Sequence, residues 1–441
     1  MNCLINGFGA DSKVNELMSK QFSKSCGRRY SALALVVCFV SPCFAGNWPG
    51  WRGPARNGVT DDSGVPVTWS STENVRWKAV LPGAGISNPV VWQDRVIVTA
   101  SEGKDQSELH VICFDRGTGT EQWHHRLWGT SPTLFYPRSG MASPTPVTDG
   151  EHVFAFFGTG DVFCFDMDGR LLWQRALADE YGRFQNRFAA SSSPLLLEDK
   201  LILQCDHYGD SYLIALNLHS GANLWKSDRP QAWHSWSSPQ IVMAKDQYEL
   251  VLSGSMKLDA YDPNSGESLW TVRGLAQECI PTPVFSQGLL YAVSGPNGHH
   301  FAVRPGGRGD VTESHVEWKH NRGTSFVPSA IIIDNRYYLA DDKGLARCWE
   351  IPSGKILWRK RFRGKHTASP VAADGKLFFV SEQGSTLVLD ATGSDYVELA
   401  RNEVDEEVLS SPAISEGCFF LRTTKHLFCI GENAQQPQQT D

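Results

Sequence analysis

Apolar residues along the chain come in short bursts, with no sustained helical stripe. Residues 95–99 (RVIVT) and 376–380 (KLFFV) are examples: β-branched or aromatic, and bounded by Asp, Asn or Gly. Such runs predict β-strands joined by tight turns. One strand-opening motif recurs, Ser-x-Pro or Ser-Pro followed by an apolar run. It places Pro89, Pro146, Pro194, Pro239, Pro283, Ala330, Pro370 and Pro412 at equivalent positions, with only Ala330 departing. The step averages about 46 residues, the size of one four-stranded propeller blade.

Acidic or Gly-containing turns follow most of these runs, as at Asp149-Gly150, Asp334-Asn335, Asp374-Gly375 and Glu416-Gly417. A sharper signature sits later in the unit: an acid or amide, a Gly four residues on, and a Trp eight residues on. It reads Asp115/Gly119/Trp123, Asn217/Gly221/Trp225, Asp262/Gly266/Trp270 and Glu350/Gly354/Trp358, with a version one residue shorter at Asp166/Gly169/Trp173. The acid caps a tight turn through nearby backbone. Gly supplies a positive φ, and Trp opens the fourth strand with a large apolar surface.

One twisted four-stranded sheet cannot bury both its faces, but a ring of such sheets can. The pattern therefore predicts an all-β, eight-bladed β-propeller of antiparallel blades over residues 75–432. The ends predict how the ring closes. The eighth unit stops near Ile430 without a fourth strand, and Trp77, in residues 75–81 (VRWKAVL), has no strands before it. That N-terminal strand is expected to complete blade eight and remove the free edge. Blade seven lacks the Trp, and its fourth strand is expected at residues 396–401 (YVELAR).

The Asp…Gly…Trp signature resembles the tryptophan-docking motif of PQQ-dependent dehydrogenases and of relatives such as the BamB-type outer-membrane assembly lipoprotein. The resemblance covers residues 75 to about 432. Trp51-Arg52-Gly53-Pro54 and residues 304–312 (RPGGRGDVT) are similar to segments of a bacterial family of exported PQQ-like repeat proteins. The resemblance implies the propeller fold firmly and function only weakly. Quinoprotein dehydrogenases of this type are longer and commonly carry a vicinal Cys-Cys pair against the cofactor. This chain has no Cys-Cys, no Cys-x-x-Cys-His and no EF-hand-like loop. It is read as needing no cofactor, with PQQ and calcium as the alternative.

Residues 1–45 have the layout of a cleavable export signal. Lys20, Lys24, Arg28 and Arg29 precede the apolar run 31–40 (SALALVVCFV), and Cys43-Phe44-Ala45 precedes Gly46. The run is too short to span a bilayer, and Met18 is an alternative start. Residues 46–74 form an N-terminal extension and 433–441 a polar tail expected to be disordered. The leader holds five Lys/Arg and two Asp/Glu, so its removal takes the net charge from −7 to −10. An acidic periplasmic or extracellular protein, read as a monomer, is a poor fit to nucleic acid or an anionic membrane surface. Cys113, Cys164, Cys348 and Cys429 hold one position in four repeats and are expected to pack as small apolar groups.

Candidate binding residues come from the loops just before the innermost strands. Five residues before each strand-opening position stand Ala84, Met141, Ala189, His234, Glu278, Ser325, Lys365 and Glu407. With Arg138, Arg187, Trp236 and His366 nearby, a rim of Arg138, Arg187, His234, Trp236, Glu278, Lys365 and His366 is the expected ligand site. Solvated channel residues are the competing reading. No metal site is expected. His124-His125 and His299-His300 are adjacent on strands and point to opposite faces. Arg308-Gly309-Asp310 is a tripeptide coincidence in a Gly-rich turn. Two functions stay open: a non-enzymatic envelope propeller binding a protein, peptide or glycan, and a quinoprotein-like oxidoreductase.

Overall fold

The computed structural model describes residues 46–136, 140–233, 235–295 and 298–432. They form eight sheets, each a four-stranded antiparallel meander, two of them extended by a short fifth strand. Blade one runs Val90–Trp92, Arg95–Glu102, Glu108–Asp115 and Glu121–Trp128. Its third strand is buried on both faces except at its last residue, and its fourth alternates exposed and half-buried. That gradient follows from radial stacking: the inner strands are covered by neighbouring blades, and the outermost faces water. Cys113, Cys164, Cys348 and Cys429 are fully buried, as expected of packing residues. No helix of the described residues is long and apolar enough to cross a membrane.

The ring closes as the chain ends imply. Val75–Val80 pairs antiparallel with His426–Ile430, placing Trp77 opposite Cys429 in blade eight. The fourth strand of blade seven is displaced from its expected place, spanning Glu398–Glu403. Tyr396 is outside that strand because its ring packs edge-on against Trp358 of blade six, 5.4 Å away. Ala400 holds the position that Trp takes elsewhere.

In all eight blades the third–fourth strand register breaks immediately before the Trp position, as between Val75 and Trp77 or between Glu121 and Trp123. Each Trp thus lies two or three residues inside the strand, beyond a bulge that re-aims it. The aim is towards the next blade. Indole Nε1 of Trp77, Trp123, Trp173, Trp225 and Trp318 donates to Arg116, Met167, Leu218, Pro263 and Pro352 carbonyls at 2.7–3.1 Å. Trp318 is the blade-five member that spacing conceals, because residues 304–315 are inserted ahead of it. Part of that insertion, Gly309–Asp310, pairs in parallel with the outer strand of blade four. There Trp270 is buried and donates to Glu249 Oε2 at 2.8 Å in its own blade.

The turn of blade six differs in detail from the other signature turns. Gly354 has the anticipated positive φ, +71°, and its N–H donates to the Glu350 carbonyl at 2.9 Å. A Cβ added to it, however, would first meet His320 Nε2 at 3.1 Å, and the Trp318 indole only at 3.5 Å, an ordinary contact distance. The reason is His320, whose ring packs on Trp318 with centroids 5.0 Å apart and reaches the glycine first. The acid differs as well: the Glu350 carboxylate accepts the Ser353 hydroxyl at 2.9 Å, whereas Asp115 also accepts the backbone N–H of Thr118. Gly354 is thus a turn glycine required by its φ, and only loosely a docking surface for tryptophan.

Candidate functional site

The innermost strand of each blade faces the central channel and, in every blade but the seventh, is a sheet edge, and the repeat motif is built for that position. Proline has no N–H to leave unpaired, and it holds the preceding residue extended. The residue before each strand-opening position is Asn88, Thr145, Ser193, Ser238, Thr282, Ser329 (before Ala330), Ser369 or Ser411, and each bonds to the next. Backbone N–H of Asn88 donates to Thr145 Oγ1, Thr145 to Ser193 Oγ, Ser193 to Ser238 Oγ, and Ser238 to Thr282 Oγ1 at 2.9–3.3 Å. Thr282 continues to Ser329, Ser329 to Ser369, Ser369 to Ser411, and Ser411 returns to Asn88 Oδ1, at 2.8–3.0 Å. The result is a closed eight-membered ring of hydrogen bonds around the channel. Its signal was present in the sequence as a Ser, Thr or Asn before every strand-opening position.

Two residues earlier in each repeat, Ile86, Ser143, Ser191, Trp236, Ile280, Val327, Thr367 and Leu409 form a second layer. Trp51 of the N-terminal segment joins the lining and donates from Nε1 to Thr282 Oγ1 at 2.9 Å. Trp236 donates to the Ala189 carbonyl at 2.8 Å. About 80 Å³ remains between them, against the several hundred Å³ of an ordinary small-molecule pocket. Among the described residues, no charged side chain and no cysteine lines this space.

The N-terminal segment covers one mouth of the channel. Trp48 bridges to Val91, Thr148 N–H donates to the Pro49 carbonyl, and Val59–Thr60 pairs in parallel with residues 372–373. All three partners lie at the C-terminal ends of innermost strands. Arg52 is buried in this cover, donating to the Ala330 carbonyl at 2.6 Å, and burial lowers its pKa to about 9. Trp69 packs against Phe378 and Phe419 before the chain enters the closing strand.

The residues expected to form a ligand rim belong to the loops that lead into the innermost strands at the opposite mouth. Arg138 and His234 lie outside the described residues. Arg187 and Lys365 are exposed and Glu278 is half-buried. Trp236 and His366 point inward instead: both are buried, and His366 Nδ1 pairs with the Val380 carbonyl at 3.0 Å. Burial holds the His366 imidazole below its ordinary pKa. The structure thus brings Trp236 into the channel, keeps Arg187, Glu278 and Lys365 on the loop surface, and makes His366 part of the packing.

Two features of this half of the molecule escaped sequence reasoning. The loop face of blades one to four exposes Trp128, Leu134, Tyr136, Phe188, Tyr208 and Trp233, each at least 37% accessible. Below it lies a fully buried ionic node, where Arg229 donates to Asp206 from Nε at 2.8 Å and from Nη2 at 3.1 Å. Arg229 also donates to Tyr261 Oη at 2.8 Å. Neither feature has a local spacing signature, since each gathers residues that are far apart in the chain.

Comparison with known proteins agrees with this geometry. The family described as outer membrane protein assembly factor BamB matches residues 55–239, 209–328 and 307–396. The assembly factor BamB of Yersinia pestis is 24% identical over 340 residues, covering 74% of this chain and 79% of that protein. The Shewanella oneidensis BamB is 21% identical over 295 residues, covering 65% and 66%. The crystal structure of Moraxella catarrhalis BamB superposes with a TM-score of 0.56 at 14% identity, over 82% of this chain and 98% of that one. The quinohemoprotein alcohol dehydrogenase of Comamonas testosteroni superposes at 0.63 with 11% identity, over 89% and 82%. Likeness at such identities establishes the shared fold alone.

Proposed function

The chain belongs to the family of the outer membrane protein assembly factor BamB, and from that premise we propose that it is a non-enzymatic scaffold of the cell envelope. It is exported by its leader and docks a protein partner of outer-membrane assembly on the loop face of blades one to four. The observation that carries this reading is the exposed group Trp128, Leu134, Tyr136, Phe188, Tyr208 and Trp233 on that face. Aromatic anchors among polar neighbours are the usual energetic centre of a protein interface. Arg187 and Glu278 supply charges at its border, where they set orientation more than affinity.

A quinoprotein reading requires a tricyclic quinone in the channel. The described residues there do not fit it: Trp51 and Trp236 fill the space, about 80 Å³ is left, and no carboxylate among the described residues lines it. Photo-crosslinking in the native envelope tests the scaffold reading. A crosslinker at Trp233 is expected to trap an outer-membrane assembly component, and one at Tyr248, on the far side of blade four, to trap none. Equal trapping from both positions, or none from Trp233, would overturn the proposal. With the crosslinker kept at position 233, the double substitution Tyr136→Ala/Phe188→Ala is expected to reduce trapping at least tenfold.

A further inference from the structure

We propose that blade one carries a divalent-cation site of zinc type formed by Glu102, Glu108 and His110. This goes beyond the scaffold reading and does not depend on it. The register places the three side chains on one face of the sheet. Glu102 is directly opposite Glu108 at the end of the second and third strands, and His110 follows two residues later, opposite Ala100. Like charges facing each other across strands are unfavourable unless something offsets them.

The histidine provides the independent observation. His110 is 3% exposed, and its Nε2 is buried without a hydrogen-bond partner. That nitrogen stands 3.3 Å from Glu102 Oε2 and 3.6 Å from Glu108 Oε1. All three ligand atoms lie within 4.8 Å of one another. Zinc bonds to nitrogen and oxygen of 2.0–2.2 Å in a tetrahedron require ligand–ligand edges of about 3.3–3.6 Å. The two His–Glu edges already have that length. A water molecule completes the fourth position through the solvent-facing side of Glu102, whose side chain is 40% exposed.

The neighbouring residues orient the ligand. His110 Nδ1 is 2.9 Å from His124 Nε2, and His124 Nδ1 is 3.4 Å from Glu121 Oε2. If the Glu121 carboxylate holds the proton of His124 on Nδ1, then Nε2 of that ring accepts from His110 Nδ1–H. His110 Nε2 is then left with a lone pair aimed at two carboxylates, an arrangement that repels unless a cation lies between them. Outer partners of this kind commonly fix the tautomer of a metal-bound histidine. Arg126 competes for Glu108, with which it forms an ion pair, but its side chain is 63% exposed and free to swing into solvent.

The site lies where it matters for the open face. The turn at residues 103–107 joins Glu102 to Glu108, and its Gln106 Oε1 accepts the backbone N–H of the rim residue Met141 at 2.9 Å. A cation clipping both ends of the turn stiffens the loop that positions blade two's rim.

The test is a cobalt(II) titration, followed by its visible absorption, and a zinc calorimetric titration of the whole mature protein purified without a polyhistidine tag. One saturable equivalent with tetrahedral cobalt bands is expected. Glu102→Gln is expected to weaken binding at least tenfold while the metal-free unfolding midpoint stays at or above the parent's, because the substitution relieves the facing carboxylates. His124→Ala is expected to weaken it about 10–100-fold through loss of orientation. His110→Asn is a further check, provided its circular dichroism matches the parent. Absence of a saturable equivalent, or an unchanged affinity in Glu102→Gln, would overturn the site.

Discussion

A Cβ atom added to Gly119 would lie 2.5 Å from the indole ring of Trp77, although the two residues belong to different blades. Trp77 sits in the strand that closes blade eight, and Gly119 in the last turn of blade one. The same relation links Trp123 to Gly169, Trp173 to Gly221 and Trp225 to Gly266, at 2.5–2.8 Å. Each of these glycines therefore serves the tryptophan of the preceding blade, not the one four residues ahead of it in its own repeat. Gly354 keeps the direction of the relation but not its closeness, with His320 nearer to it than Trp318 is. The signature is a blade-to-blade joint.

Gly119 has a φ of +73° in addition to this close approach. Replacing it by Ala combines left-handed strain with overpacking, so a loss of about 2–4 kcal/mol is expected in equilibrium denaturation. Gly117 in the same turn meets nothing closer than 3.4 Å. Gly117→Ala is the control and should change stability little. Equal losses from both would refute the joint.

Trp225 is half-buried on Gly266 and bonded to the Pro263 carbonyl at 3.1 Å. Trp225→Ala is expected to cost about 2–4 kcal/mol, towards the lower end for large aromatic truncations because the ring is partly solvated. Trp225→Phe keeps much of the packing and loses the hydrogen bond, so roughly 1 kcal/mol is expected. Urea denaturation of both variants separates packing from hydrogen bonding.

Trp77 and the incomplete last repeat made blade number and closure legible in the sequence, because a propeller repeats one local unit and each unit carries its own turn chemistry. Inter-blade partners were not legible. Spacing within a repeat cannot show that Gly119 serves Trp77, that His320 comes between Gly354 and its tryptophan, or that residues 304–315 displace the docking turn of Trp270. The rim was legible only as a set of positions. Whether a side chain such as His366 turns inward depends on packing against Phe362 and Val380. The aromatic loop face and the Glu102–Glu108–His110 cluster depend on register and loop path, which composition does not encode.

The channel ring predicts a specific loss. Ser193 is buried, and its Oγ accepts the Thr145 N–H at 3.0 Å. Ser193→Ala leaves that donor buried without a partner, a cost of about 1–3 kcal/mol. Thr already serves at two ring positions, Thr145 and Thr282. Ser193→Thr should therefore retain most of the stability. Hydrogen exchange at the Thr145 amide is the direct readout: faster in Ser193→Ala, near the parent rate in Ser193→Thr.

His300 predicts the pH dependence. It is fully buried, stacked on Tyr337 with ring centroids 4.6 Å apart, and both ring nitrogens lack hydrogen-bond partners. Burial lowers its pKa to about 3. The folded protein therefore keeps this imidazole neutral at a pH where the unfolded chain, with an ordinary histidine pKa of about 6.5, takes up a proton. Below that value the unfolded state binds more protons, so stability falls as pH drops from 6.5 towards 3 and is unaffected by this group above 6.5. His110, His207 and His366 are shifted in the same direction by burial and add to the slope. His300→Phe preserves the ring stack and removes the titration. Between pH 6 and 4 its unfolding free energy should depend on pH less steeply than the parent's, by about one proton's worth of slope. Parallel curves for the two proteins would show that His300 is already protonated in the folded state, contrary to its apolar surroundings.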